Sequence, residues 1–101
     1  MFVVSVSVLG ELEVMVDGVV VPLPRGLARS LVMSLVVDID RTVTDEDLIE
    51  RLWGGAAPAN AHFSLRNTVS RLRSLLGHDV IERDEVGYRM PSSTVRTDLS
   101  D

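Results

Sequence analysis

Apolar and polar residues alternate from Phe2 to Leu9, with Ser5 and Ser7 at the polar positions, which predicts a half-buried strand. Leu12 to Val16 and Val19 to Leu23 flank Asp17-Gly18, the residue pair of a two-residue hairpin turn. A small antiparallel sheet follows from these three segments, with Pro22 and Pro24 ending the third. The period then changes. Between Arg25 and Val37, Leu27, Leu31, Met33, Leu35 and Val36 form a broad apolar helical face, and Pro24 stands where a helix can begin. After an extended link at Arg41 to Val43, Thr44 precedes Asp45-Glu46-Asp47 at the spacing of a capped helix start. This second helix aligns Leu48, Ile49, Leu52 and Trp53 on a core-facing side and stops at Gly54-Gly55. A turn containing Pro58 leads to a third helix that opens at Asn60 as cap and ends at Gly77. Asp79 to Arg83 and Val86 to Met90 read as a hairpin around Asp84-Glu85, with Tyr88 as its anchor to the core. Residues 1–91 are thus one packed unit, and 92–101 a tail, short strand or start of a linker.

The third helix is the unusual segment. At 100° per residue, Leu65, Val69, Leu72 and Leu76 fall in a narrow inner stripe, leaving Phe63, Arg66, Asn67, Ser70, Arg73 and Ser74 outward and Arg71 on a flank. No Asp or Glu occurs between Asn60 and His78, in a chain of net charge −5. A basic footprint on this protein must therefore be local.

Composition narrows the function classes. One hundred and one residues, 46% hydrophobic and 25% charged, suit a single soluble globular domain. With no cysteine, disulfides, thiol catalysis and Cys-ligated zinc are excluded, in keeping with a cytoplasmic location. His62 and His78 have no metal-spaced partner, and the acids at Asp45 to Asp47 are helix-start chemistry. No phosphate loop, nucleophile with its base, or pair of catalytic acids can be assembled, so no enzyme, cofactor or small-molecule substrate is expected. The apolar run around Leu31 to Val37 is too short to span a bilayer.

Sheet, three helices and terminal hairpin follow the order of an OmpR-type winged helix-turn-helix, an α+β fold with a three- to four-stranded antiparallel N-terminal sheet. The chain resembles the N-terminal DNA-binding domain of the Streptomyces antibiotic regulatory protein (SARP) family and similar actinobacterial regulators. The matching pieces are Val8-Leu9-Gly10 with Leu12-Glu13-Val14, Leu48-Ile49 with Leu52-Trp53-Gly54, Val69-Ser70-Arg71-Leu72-Arg73 with Leu76-Gly77, and Gly87-Tyr88. The resemblance implies that residues 60–77 enter the major groove and that the 79–90 hairpin is a wing near a minor groove. By the same resemblance Arg66, Ser70 and Arg73 face bases and phosphates, and Arg71 contacts backbone. The chain departs from the family pattern at Asp84-Glu85, where the wing tip is usually basic or small and polar.

Together these readings predict a double-stranded DNA-binding domain of a transcriptional regulator. Arg66, Asn67, Ser70 and Arg73 would read the groove, Phe63 would touch a thymine methyl or pack under the wing, and Arg71, Arg83 and Arg89 would steer onto phosphates. Few cations per copy imply binding to repeated half-sites in a promoter, with RNA polymerase or another protein as a further partner. The alternative is a winged helix that no longer holds DNA and serves as a protein interaction module, favoured by the net charge, the acidic tip and an outward Phe63.

Overall fold

A computed structural model describes residues 4–9 and 11–98. Phe2, Val3, Gly10 and the last three residues of the predicted tail lie outside the described residues. In chain order the elements are β1 (Val4–Ser7), β2 (Glu13–Val16), β3 (Val19–Val20), α1 (Leu27–Val36), β4 (Val43–Thr44), α2 (Asp45–Trp53), α3 (Ala61–Leu76), β5 (Glu82–Arg83), β6 (Gly87–Arg89) and β7 (Val95–Thr97). Single 3₁₀ turns at Gly54–Ala56 and His78–Val80 follow α2 and α3.

The first sheet has the order β3-β2-β1-β7. Antiparallel pairing sets Val4 opposite Val16 and Val6 opposite Val14, so Val4, Val6 and Val14 are buried on one face while Ser5, Ser7 and Met15 are half-buried on the other. Asp17 and Gly18 close the β2–β3 hairpin with φ of 52° and 82°, the two left-handed residues that a type I′ turn requires. The sheet is not wholly antiparallel, because β7 runs parallel to β1 with Val95 beside Val4 and Thr97 beside Val6. Of the readings open for 92–101, a tail, a short strand or the start of a linker, the strand is the one that forms, at Val95–Thr97. Its end is fastened by the Asp98 carboxylate, which accepts hydrogen bonds from the Val8 N–H (2.9 Å), the Ser7 hydroxyl (2.8 Å) and the Leu9 N–H (3.2 Å). Those bonds hold the Asp98 pKa below the usual carboxylate value, that of the Val8 N–H most.

The helices differ from expectation at their ends more than in their faces. α1 begins at Leu27, after Gly26 at φ 90°, and not at Arg25. Its buried residues are Ala28, Leu31, Val32, Leu35 and Val36; Met33, predicted to face the core, is exposed, because it lies about 200° around the helix from Leu31. At the start of α2 the Thr44 hydroxyl accepts from the Asp47 N–H at 3.1 Å, which is the predicted cap. Leu48 is fully buried, whereas Trp53, expected in the core, is only half-buried. Five residues on from Leu48, it has turned about 140° away from that contact. α3 buries Leu65, Val69, Leu72 and Leu76 against the core, as the inner stripe requires. Asn60 precedes it without a side-chain capping bond; its backbone carbonyl accepts from the Ser64 N–H at 3.0 Å. Gly77, at φ 110°, stops the helix and donates its N–H to the Arg73 carbonyl at 2.9 Å.

The second sheet, β4-β6-β5, is the wing. The expected Asp79–Arg83 strand is shortened to Glu82–Arg83 because the chain first makes a 3₁₀ turn that buries Val80 and Ile81. Pairing of β4 with β6 brings the backbones together at Gly87, where a Cβ would stand 1.9 Å from the Val43 carbonyl oxygen. Only glycine fits. Tyr88 beside it is buried, the anchor expected from the sequence.

Candidate nucleic-acid interface

α3 presents Phe63, Arg66, Asn67, Ser70 and Arg71 to solvent. The inner stripe turns them outward, since each is displaced from it by roughly a quarter to a half turn. Phe63 is 55% exposed, so it does not pack under the wing. Arg66 and Arg71 make no hydrogen bond or ion pair among the described residues, and no acid shares their helix. They are separated by about 140° around the axis, one on each flank of the outward face.

Arg73 is placed differently from its predicted groove-facing position. It is half-buried, and its Nε and Nη2 both donate to the Ile81 carbonyl, at 3.1 and 2.8 Å. Its Cα direction lies only about 40° from Val69, at the edge of the inner stripe, so the guanidinium folds over the chain leaving α3. The Ile81 carbonyl thereby gains its partner where Ile81 itself is buried. Arg73 ties α3 to the base of the wing.

The wing arginines are also engaged. Arg83 stacks 4.5 Å from the centroid of the Tyr88 ring and pairs with Asp45 at 2.6 Å, which sits in the first turn of α2. His62 Nδ1 approaches the same Asp45 at 3.9 Å. Arg89 pairs with Glu82, its cross-strand neighbour in the β5–β6 register. Each guanidinium keeps further N–H donors, but its charge is already offset by a carboxylate.

The tip reads differently in space as well. The Asp84 carboxylate accepts from the N–H groups of Val86 (2.8 Å) and Gly87 (3.0 Å) and from the Thr42 hydroxyl (2.8 Å). These bonds, that of Val86 first, hold its pKa below the ordinary carboxylate range. Asp84 thus closes the turn with its carboxylate, and both it and Glu85 are exposed. The Val86 carbonyl accepts from the Asp45 N–H at 3.2 Å, so tip and α2 are joined by backbone as well as by Arg83.

On the other flank of α3, Asn67 and Arg71 face the start of α1 across a cleft whose opposite wall includes Pro24, Arg25 and Leu27. Arg25 precedes α1, and nothing in its immediate sequence places it beside α3. Among the described residues there is no cluster of His, Asp and Glu suited to a metal, and no helix is long and apolar enough to cross a membrane.

A sheet, three helices and a short hairpin braced on α2, with an exposed third helix, define an OmpR-type winged helix-turn-helix. No family model matches the chain. It is 37% identical over 90 residues to the transcriptional regulatory protein EmbR of Mycobacterium bovis, and 33% over 72 residues to the regulatory protein AfsR of Streptomyces griseus. It is 30% identical over 73 residues to the transcriptional regulator RedD of Streptomyces coelicolor. These matches cover 83%, 71% and 72% of this chain, but 23%, 7% and 21% of those proteins. A solved structure of Mycobacterium tuberculosis EmbR in complex with a low-affinity phosphopeptide has a TM-score of 0.84 at 31% identity, over 94% of this chain and 27% of that one. The chain therefore belongs to the family of SARP-type winged-helix regulators, and the relatives it matches are named as regulatory proteins. It spans less than a third of the length of each.

Proposed function

We propose that this chain is the duplex-DNA-binding domain of a cytoplasmic transcriptional regulator, with α3 in the major groove. The observation that carries the reading is an exposed, acid-free helix face on which Arg66 and Arg71 have no carboxylate partner among the described residues, in a chain that is acidic elsewhere. Such cations are available for phosphates and for counterion release. Arg66 is suited to guanine, Asn67 to adenine and Phe63 to a thymine methyl, with Ser70 between them and Arg71 on backbone. The wing, whose Arg83 and Arg89 are neutralised, lies towards the minor groove and mainly sets the orientation of α3. With so few free cations per copy, repeated half-sites in a promoter are the expected target.

The alternative, a protein interaction module, has its own support in Phe63 and Val86, which are 55% and 58% exposed. A phosphopeptide bound to EmbR makes a protein ligand of that class worth including as a competitor. The test is a fluorescence anisotropy titration of a labelled mixed-sequence duplex at about 50 mM salt, repeated as salt is raised. Binding that weakens with a log-log slope of about −2 to −3 is expected. No binding by a folded, concentrated sample would overturn the DNA reading.

A further inference from the structure

We infer that Arg25, together with Arg71, forms a second phosphate seat on the α1 side of α3, gripping the strand that the wing does not approach. The inference rests on the reading that α3 occupies the major groove. A helix in that groove is bordered by two sugar-phosphate strands, and its two flanks meet different ones. Arg66 and Arg71 stand about 140° apart on α3, so they cannot serve the same strand equally. The flank of Arg71 opens onto the cleft it shares with Arg25, Asn67 and Ser64.

Three features suit this cleft to an anion. No carboxylate lines it, although the chain holds fifteen acids. Both arginines are exposed, and neither has a hydrogen bond or ion pair among the described residues. Every arginine of the wing and its base, by contrast, is committed: Arg73 to Ile81, Arg83 to Asp45 and Arg89 to Glu82. Two guanidiniums that line one opening, with no partner among the described residues, leave their N–H groups available to an anion there. A backbone phosphate seated there accepts from both forks.

The experiment compares Arg25→Ala with Arg96→Ala in the same duplex titration. Arg96 is likewise exposed, but it lies on β7 in the first sheet, so both variants lose one charge and only one loses the seat. Arg25→Ala is expected to weaken binding about fivefold at low salt. It should do so alike for any duplex sequence, and flatten the log-log salt slope by about 0.9. Between 50 and 200 mM salt the gap from wild type then narrows by about 3.5-fold. Arg96→Ala should change neither, and Arg25→Lys should recover part of the loss. If Arg66→Ala weakens binding while Arg25→Ala matches Arg96→Ala, the seat is refuted and the α3 reading stands. If wild type binds no duplex, both fail. If a phosphothreonine peptide binds in an Arg25-dependent way and duplex does not, the seat belongs to a protein ligand and the inference is likewise overturned.

Discussion

α3 and the β5–β6 hairpin each hold arginines that the sequence put forward as phosphate contacts, and the two regions use them in opposite ways. On α3, Arg66 and Arg71 have no acid within their helix and no ion pair among the described residues. In the wing, Arg83 and Arg89 are bound to Asp45 and Glu82. The difference teaches that a count of cations is not a count of available cations. The wing spends its charge on bracing itself against α2, and α3 keeps its own for a ligand. Arg73 belongs in this respect to the wing, although it is a residue of α3.

Several substitutions separate bracing from binding. The largest effect is expected at Gly87, where a methyl group would strike the Val43 carbonyl and force β4 and β6 apart. Gly87→Ala should cost about 3 kcal/mol or prevent folding, read as a fall in melting temperature by circular dichroism. Unchanged stability would mean that the wing is not packed as described. Arg73→Ala should follow at about 1–2 kcal/mol, because the buried Ile81 carbonyl loses both donors. A variant that melts like wild type yet loses DNA affinity would return Arg73 to the reading face.

A smaller effect, spread over both sheets, is expected from pH. Asp40, Asp84 and Asp98 are each held below the ordinary carboxylate value, chiefly by the Ser92 hydroxyl, the Val86 N–H and the Val8 N–H respectively. A folded pKa below the unfolded one of about 3.9 means that the ionised group favours the folded state. That stabilisation is complete above the unfolded value and is lost as pH falls through the folded pKa. The melting temperature should therefore drop on acidification below about pH 4. Asp98→Asn should lower it at neutral pH and flatten the acid limb, and an unchanged acid limb would mean that the Asp98 contacts to β1 and the loop after it do not form.

How far the sequence revealed this depends on the distance over which each feature is decided. The inner stripe of α3, its stop at Gly77 and the acid-free face are properties of one helix, and periodicity suffices to read them. The pairing of Glu82 with Arg89 was open to the same reading, since a hairpin turning at Asp84 sets them opposite each other. Asp45 and Arg83 are 38 residues apart, and only the docking of wing on α2 brings them together. Position around the helix misled at Arg73, which sits at the boundary of the apolar stripe and was assigned to the wrong side of it. β7 stays one of several readings of 92–101 for another reason: three residues with one buried valine have no usable period, and its partner β1 lies at the opposite end of the chain. Arg25 could not be placed beside α3 without knowing how α1 packs.

The central claim is that α3, and not the wing, supplies the charge that holds DNA. It is tested most directly by two double variants of equal charge, Arg66→Ala with Arg71→Ala and Arg83→Ala with Arg89→Ala, titrated with one duplex across a range of salt. The α3 pair should lose at least about tenfold in affinity and flatten the salt slope by about 1.8. The wing pair should stay within about twofold of wild type and lose at most about 1 kcal/mol of stability for each exposed ion pair. The reverse ranking, with the wing pair abolishing binding and the α3 pair leaving it intact, would contradict the account.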